Sequence, residues 1–337
     1  MSRKLGRSNI EVSALGLGCW AIGGPLWYIE EGKRVPLFWG EIDDKESIKS
    51  IKYAMELGVN FFDTADSYGC GHSEAILGKA IKGHREDVVI SSKFGDLFEA
   101  ETRTWLGHDH PNGEVSEGYV KQALATSLTR LGTDYLDLYH FHMKKYDYVK
   151  AERLRDVLES LVEEGKIRYY GWSTPYAELA EVFTVGDHCT SMQFNYNILE
   201  RNPDMDELCN KYNLASIARG PYAMGILTGK YNRYSSFSKT DMRHHWWDLS
   251  KGREAKQIEL LDAIRELLTS DGRSLPQAAL GWLWAQGKYV VPIPGFKNRE
   301  QVKSSLGALE YGPLSKKTVD QIENILKEYE YNLVYLD

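Results

Sequence analysis

The sequence is poor in the features that mark several large classes of protein. Its 337 residues include only four cysteines, at positions 19, 70, 189 and 209, and none of them forms a CxxC pair. Scattered cysteines argue for reduced thiols in a cytoplasm rather than for a disulfide framework. The N-terminus lacks the unbroken apolar core of a signal peptide, and no apolar run approaches the roughly 18 residues of a membrane span. We therefore expect a cytoplasmic protein that does not cross a membrane.

An excess of positive charge is also missing. The 41 Lys and Arg residues are outnumbered by 48 Asp and Glu, which gives a net charge of −7. Proteins that bind nucleic acid or anionic membranes usually carry basic patches, so neither partner is expected. Proline is scarce, at ten residues, and the hydrophobic fraction is 42%. This composition excludes a disordered or low-complexity chain.

The glycine-rich segments do not have the spacing of a nucleotide-binding loop. GLGCWAIGG and GCGHSEAILG lack the third glycine of GxGxxG, at Ala21 and Glu74, which disfavours a Rossmann domain. In GILTGKY, the first glycine, Gly225, is one residue too close to the Gly-Lys pair for a P-loop. The histidines at 108, 110, 244 and 245 lack a third ligand, so no metal is predicted.

What the sequence does contain is a regular alternation of strands and helices. A hairpin is predicted around Gly6–Asn9. After it, apolar runs such as DVVISS and YLDLYHF alternate with segments of helical periodicity, for instance Val120, Leu124 and Leu128. Counting from ALGLG gives eight strands, each followed by a helix, with no linker between them. The pattern predicts an α/β fold: a single (β/α)8 TIM barrel over residues 1–337, with an N-terminal β-hairpin.

Polar residues cluster at the carboxyl ends of the predicted strands, where a barrel places its active site. Asp63 and Tyr68 follow the second strand, Lys93 ends the third and His142 follows the fourth. Asp63 and Lys93 directly adjoin buried apolar runs, where an unpaired charge is costly. These four side chains are therefore predicted to converge on one site.

This set of side chains is suited to transferring a proton to an oxygen. A tyrosine hydroxyl, with an ordinary pKa of about 10, is a poor general acid at neutral pH. A lysine beside it lowers that pKa, and an aspartate keeps the lysine charged and oriented. A histidine can hydrogen-bond the reacting oxygen. Such a site would protonate the alkoxide formed from a carbonyl, and because no side chain supplies a hydride, it requires a redox cofactor.

Seven ordered segments resemble the aldo-keto reductase superfamily, in particular its bacterial-type NADP(H)-dependent members. They are DTADSYGCGHSEAILGKAI, VVISSKFG, LGTDYLDLYHFH, GKIRYYGWST, SMQFNYNIL, GPYAMGILTGKY and PIPGFKNREQV. The resemblance covers essentially the whole chain. It implies a barrel that binds NADP(H) without a Rossmann domain, and a catalytic tetrad of Asp63, Tyr68, Lys93 and His142. At His140 the family usually has a bulky apolar or aromatic residue, so His140 either packs in the core or marks an unusual pocket.

The resemblance also implies the residues of a cofactor site. Ser173, Thr174 and Gln193 would contact the nicotinamide carboxamide, with Thr174 in place of the usual Asn, and Arg219 would stack on the ring. Lys297 would meet a 2′-phosphate, which favours NADP(H) over NAD(H), although the family's closing Glu-Asn is here a Ser-Ser pair. The other implied cofactor residues are Trp20, Asp63, Gly220, Pro221, Leu227, Gly229, Lys230, Gly295, Asn298, Gln301 and Ser305.

Three long segments, about 23–42, 95–118 and 232–250, are predicted as irregular loops at the barrel mouth. Their aromatic side chains would form a pocket for a bulky or sugar-like carbonyl substrate, or would only hold the loops against the barrel. The predicted substrate residues are Trp27, Trp39, Trp105 and Trp247.

The expected activity is NADPH-dependent reduction of an aldehyde or ketone, with a hydride from nicotinamide C4 and a proton from Tyr68. Two alternatives stay open. One is an NADP(H)-binding sensor subunit, because relatives that dock on channel proteins keep the tetrad. The other is a sugar-pathway oxidoreductase that oxidises an alcohol, with Tyr68 as base. A small-molecule carbonyl is the expected partner, and a homo-oligomer is left open.

Overall fold

The computed structural model describes residues 1–329. The strands are β1 (Ser2–Lys4), β2 (Glu11–Ser13), β3 (Leu17–Gly18), β4 (Trp27–Glu30), β5 (Lys33–Pro36), β6 (Phe61–Asp63), β7 (Val89–Phe94), β8 (Leu97–Glu99), β9 (Thr104–Gly107), β10 (Leu136–Phe141), β11 (Ile167–Ser173), β12 (Cys189–Asn195), β13 (Ala215–Arg219) and β14 (Val290–Pro292). The helices are α1 (Asp44–Glu56), α2 (His72–Ala80), α3 (Glu117–Leu131), α4 (Tyr148–Glu163), α5 (Ala177–Thr184), α6 (Pro203–Lys211), α7 (Arg243–Trp246), α8 (Arg253–Leu268), α9 (Leu275–Gln286), α10 (Arg299–Leu306) and α11 (Lys316–Glu328).

Eight parallel strands form the central sheet, in the order β3-β6-β7-β10-β11-β12-β13-β14. The sheet closes on itself because Gly18 forms a parallel bridge with Gly295, and Gly16 N donates to the Pro292 carbonyl at 2.9 Å. Each crossover between neighbouring strands contains at least one helix. The predicted TIM barrel is confirmed, and its strand order follows the order of the chain.

The predicted N-terminal hairpin is also confirmed. Strands β1 and β2 pair antiparallel, with Ser2 opposite Ser13. The hairpin contributes Leu5 and Val12 to a buried apolar cluster inside the barrel, together with Phe61 and Ile217. This cluster fills the amino-terminal end of the barrel, so the polar strand ends at the other face form the opening.

Local signals explain where the helices begin and end. The Asp43 side chain accepts from Lys45 N and Glu46 N at the start of α1. Helix α3 begins after Ser116, whose side chain accepts from Tyr119 N, and it ends at Gly132 with φ 67°. Across residues 1–329, no helix is both long and apolar enough to cross a bilayer.

The three mouth segments were predicted as irregular, and that prediction was wrong: the first two contain strands, and the third contains α7. Strands β5, β4, β9 and β8 form a separate sheet, here called the mouth sheet. Glu31 and Gly32, with φ of 49° and 76°, make a two-residue turn between β4 and β5. Strand β4 joins β9 of the next segment through Trp27 and Thr104. Hydrophobic periodicity within one segment does not report such pairing between segments.

Candidate active site

The centre of the site is a buried lysine between an aspartate and a tyrosine. Lys93 Nζ donates to Asp63 Oδ2 at 2.7 Å and to the Thr64 carbonyl at 2.6 Å. The same nitrogen lies 4.7 Å from the centre of the Tyr68 ring. Strands β6 and β7 are neighbours, with Asp63 opposite Ser91, which brings these side chains to one edge. The predicted convergence of Asp63, Tyr68 and Lys93 is therefore present.

The turn that carries Tyr68 packs directly on the first mouth segment. Gly69 has a φ of 58°, and a Cβ atom there would overlap the carbonyl of Gly23. Only glycine combines that backbone conformation with so close an approach. Trp20, three residues before Gly23, packs edge-on against the Tyr68 ring with 4.8 Å between centroids. These contacts hold the tyrosine ring in place.

Burial sets the protonation of this centre. It raises the pKa of the Tyr68 hydroxyl, while Lys93 acts to lower it. The sequence predicts that Lys93 lowers the pKa of Tyr68. That effect is present, but burial outweighs it. Burial opposes the charge on Lys93, but its contacts with Asp63 and Tyr68 raise the pKa of the ammonium. At neutral pH the site holds a protonated hydroxyl beside a charged ammonium.

His142 lies edge-on to Tyr68, with 6.1 Å between the ring centroids. Its Nδ1 is 2.9 Å from Asp96 Oδ2. The sequence reasoning missed Asp96, although it follows Lys93 by three residues and lies just past the end of β7. The sequence signal that points to Asp96 is an acidic residue just after a strand that carries a predicted catalytic residue.

His140 is fully buried on β10, opposite Lys93 of β7. Its Nδ1 is 3.1 Å from Ser91 Oγ and its Nε2 is 2.9 Å from Ser191 Oγ. A Cβ atom at Gly171 would overlap the imidazole ring, so the missing side chain there makes the space for it. Of the two alternatives left open by the sequence, His140 packs in the core, as part of a polar network.

The hydrogen bonds of that network have defined donors and acceptors. Ser91 donates its hydroxyl proton to Asp63 Oδ1 at 2.9 Å, so its oxygen accepts from Nδ1–H of His140. His140 Nε2 then accepts from the Ser191 hydroxyl. Burial lowers the pKa of His140 to about 3, so the ring is neutral. The network orients Asp63, and through it Lys93.

The neutral ring makes stability depend on pH. The unfolded chain protonates His140 below its ordinary pKa of 6.5, whereas the folded chain does so only near its pKa of about 3. Stability is therefore lost as pH falls through this window, by up to about 1.4 kcal/mol per pH unit. We expect the stability advantage of the wild type over His140→Gln to shrink by about that amount between pH 6 and pH 5 in urea unfolding. His84→Gln, on the surface, should show no such trend, and an advantage independent of pH would contradict the network.

Three polar atoms at the ends of adjacent strands are buried and have no hydrogen-bond partner among the described residues: Ser173 Oγ, Gln193 Oε1 and Arg219 Nε. Strand register places Ser173 opposite Gln193. The amide nitrogen of Gln193 is anchored, because Gln193 Nε2 donates to Asp63 Oδ1 at 2.9 Å. Unpaired buried polar atoms are costly unless a ligand completes them. A primary carboxamide, with its N–H2 and C=O groups, fits the serine and glutamine atoms.

The sequence matches the model of the aldo/keto reductase family over residues 14–327. The chain belongs to the aldo/keto reductase family. The aldo-keto reductase yakc of Schizosaccharomyces pombe, whose name specifies NADP(+), is 29% identical over 95% of this chain and 90% of its own. The NADH-specific methylglyoxal reductase of Escherichia coli is 29% identical over 90% and 92%. A glycerol dehydrogenase structure from Gluconobacter oxydans aligns with a TM-score of 0.80, at 26% identity, over 100% of this chain and 97% of that one.

These relatives establish an oxidoreductase of a family that uses nicotinamide cofactors. They do not agree on which cofactor, because one name specifies NADP(+) and another NADH. The cofactor preference and substrate of this aldo-keto reductase therefore depend on its own residues.

Several residues predicted to hold the cofactor are engaged within the protein. The Thr174 hydroxyl donates to the Lys144 carbonyl and accepts from Tyr176 N. Ser305 bonds the Tyr222 hydroxyl at 2.8 Å. The structure thus leaves Ser173 and Gln193, rather than Thr174, with atoms open to a carboxamide.

The predicted adenosine residues of this aldo-keto reductase gather at the start of α10. Asn298 caps the helix by accepting from Gln301 N at 3.0 Å. Gln301 Oε1 accepts from Lys297 N at 2.8 Å, and Lys297 Nζ donates to the Trp39 carbonyl. Gly295 follows β14 beside Gly18, and the segment after β13 carries Gly220, Pro221, Leu227, Gly229 and Lys230.

The four predicted substrate tryptophans occupy different places at the mouth. Trp105 Nε1 donates to Asp96 Oδ1 at 2.8 Å, so it is linked to His142. Trp27 packs on Phe38 within the first mouth segment, at 5.2 Å. The rings of Trp39 and Trp247 lie on the Arg243 guanidinium, at 4.7 and 5.7 Å. Their role toward substrate stays a prediction.

Proposed function

We propose that this aldo-keto reductase reduces aldehydes or ketones to alcohols with NADPH. The observation that carries the proposal is the buried, protonated Tyr68 hydroxyl beside the Lys93–Asp63 ion pair, whose Nζ–Oδ2 distance is 2.7 Å. When bound, the cofactor supplies a hydride from C4 of its nicotinamide to the carbonyl carbon. Tyr68 donates its proton to the carbonyl oxygen, which completes the alcohol.

The other residues prepare this proton transfer. The Lys93 ammonium stabilises the phenolate that Tyr68 becomes, and Asp63 keeps the ammonium in place. His142 faces the same reacting oxygen and orients it. Ser173 and Gln193, whose buried oxygens have no partner within residues 1–329, would hold the carboxamide and so fix the nicotinamide ring. Burial of Asp63, Tyr68 and Lys93 excludes water and strengthens each of their interactions.

The preference for NADPH rests on Lys297. Its ammonium donates to a neutral backbone carbonyl, at Trp39, so its charge remains available to an added phosphate. It also directly precedes the Asn298 cap of α10, where the helix dipole favours an anion. A cation next to a helix start would bind the 2′-phosphate that NADPH carries and NADH lacks.

A sugar-like carbonyl fits the mouth of the barrel. Trp20 and Trp105 place flat apolar surfaces beside the hydrogen-bonding groups of Tyr68 and Asp96. Hydroxylated carbonyl compounds combine apolar faces with many hydroxyl groups, which such a pocket complements. The similarity to a glycerol dehydrogenase favours a second candidate, oxidation of a polyol with Tyr68 as base.

A multiple-turnover assay tests these proposals. NADPH and NADH consumption is followed with methylglyoxal, glyceraldehyde and keto-sugars, and the reverse reaction with the corresponding alcohols. We expect sustained reduction, with kcat/KM at least about tenfold higher for NADPH, as one added charge contact of about 1.4 kcal/mol would give. Faster alcohol oxidation at neutral pH would favour the second candidate. A single turnover with retained cofactor would instead indicate a sensor.

A further inference from the structure

Asp96 lies at the centre of a set of ring nitrogens at the barrel mouth. Its Oδ2 is 2.9 Å from His142 Nδ1. Its Oδ1 accepts from Trp105 Nε1 at 2.8 Å and lies 2.8 Å from His108 Nε2. The Asp96 side chain is 7% exposed, so these contacts form in a site with little water. Asp96 thus joins the catalytic histidine to the mouth sheet.

The backbone of Asp96 is fixed as firmly as its side chain. The Tyr119 hydroxyl donates to the Asp96 carbonyl at 3.0 Å and accepts from Gly95 N at 3.2 Å. His110 Nε2 lies 2.8 Å from the Gly95 carbonyl. A carboxylate held at its backbone and at both oxygens can orient a neighbouring ring without rearranging.

The charge of Asp96 favours one of the two ring nitrogens of His142 as the site of its proton. Burial acts to raise the pKa of Asp96, but His142 and His108 outweigh it and hold that pKa well below its ordinary value. The carboxylate is therefore an anion, and an anion 2.9 Å from His142 Nδ1 favours a proton on that nitrogen. In the neutral ring Nε2 can only accept, and in the doubly protonated ring it donates. A carbonyl oxygen needs a donor.

We propose that Asp96 is a positioning residue for carbonyl reduction, which fixes the Nδ1-protonated form of His142 and stabilises the doubly protonated ring that donates to the substrate oxygen. The inference rests on the proposed function. It adds a residue outside the predicted tetrad, and it couples the mouth sheet to the proton-transfer chemistry through Trp105 and Asp96.

The other groups around His142 act against its second proton. Burial lowers the pKa of His142, and Lys93 and Arg219 act in the same direction, while Asp96 raises it. The groups that face the ring are Tyr68 after β6, Lys93 and Asp96 on and after β7, His140 on β10, Arg219 on β13 and, through Asp96, His108. Without the Asp96 carboxylate, burial, Lys93 and Arg219 would still act to lower the pKa of His142.

Two variants with opposite expected signs test this role. Asp96→Asn removes the carboxylate charge, and we expect the pKa of His142 to fall by at least about one unit. The doubly protonated fraction above that pKa then falls about tenfold, and kcat/KM for reduction at neutral pH with it. His108→Leu removes a competing partner of Asp96, and should raise the pKa of His142. Structural damage alone would not move the two variants in opposite directions.

The titration is read by imidazole ¹⁵N NMR of the full chain, with His142→Gln to assign the signal, alongside pH profiles of kcat/KM. Asp137→Asn is the matched control, because Asp137 is also buried and accepts from Arg85 at 2.8 Å and Arg168 at 3.1 Å, at the start of β10. It should lose stability but leave the His142 titration unchanged.

An unchanged His142 pKa in Asp96→Asn, or an Nε2-protonated neutral ring in the wild type, would overturn the inference. If Asp96→Asn does not fold, the direction of the His108→Leu shift decides. Absence of turnover with every carbonyl would refute the proposed function, whereas the NMR titration still reports the effect of Asp96 on the ring.

Discussion

Replacing Tyr68 by phenylalanine should lower kcat/KM for carbonyl reduction by about 10²- to 10⁴-fold, the range that a positioned general acid contributes. The change removes one oxygen and keeps the ring, which packs edge-on against Trp20. The groups proposed to hold the nicotinamide, Ser173 and Gln193, lie on other strands. Cofactor binding, measured by fluorescence titration, should therefore be nearly unchanged.

Tyr139→Phe is a matched control within the same barrel. Tyr139 is fully buried in β10 and stacks on Phe94 at 4.4 Å, and its hydroxyl has no partner within residues 1–329. Removing that hydroxyl takes nothing from the proton transfer, so turnover should persist. Equal turnover by Tyr68→Phe and the wild type would contradict the assignment of Tyr68 as the proton donor.

The parts of the fold and site that follow chain order could be predicted from the sequence. Successive strands of the barrel are neighbours in space, so residues at consecutive strand ends, such as Asp63 and Lys93, were bound to meet. A one-dimensional pattern suffices for such a layout, because the closed barrel leaves few alternatives once eight strand–helix units are counted.

What could not be predicted depends on contacts between segments far apart in the chain. The mouth sheet exists because β4 pairs with β9, and neither segment shows its partner in its own periodicity. Asp96 gains its importance from His142, Trp105 and His108 together. Thr174 has a hydroxyl of the expected kind, but the Lys144 carbonyl and Tyr176 N engage it.

Replacing Lys93 by methionine should destabilise the protein and inactivate it for two separate reasons. Asp63, 1% exposed, would keep hydrogen bonds from Ser91 and Gln193 but lose its counter-charge. Breaking one side of a buried ion pair costs about 3–5 kcal/mol. Tyr68 would also lose the cation that opposes the rise of its pKa. Because the pKa of Lys93 is raised on folding, its stabilising effect is fully present at pH 7 and is lost only as pH rises above its ordinary value of 10.5.

The double variant Asp63→Asn, Lys93→Met separates the two effects. It removes both charges, so it should be more stable than Lys93→Met alone, with a coupling between the two sites of about 2–3 kcal/mol in urea unfolding. It should remain inactive, because no ammonium is left to stabilise the phenolate. Lys121→Met, which breaks exposed ion pairs with Glu117 and Glu164, should leave the unfolding curve unchanged. Additive single and double variants would mean that the buried pair does not act as a unit, and an active double variant would mean that Tyr68 delivers its proton without a cation beside it.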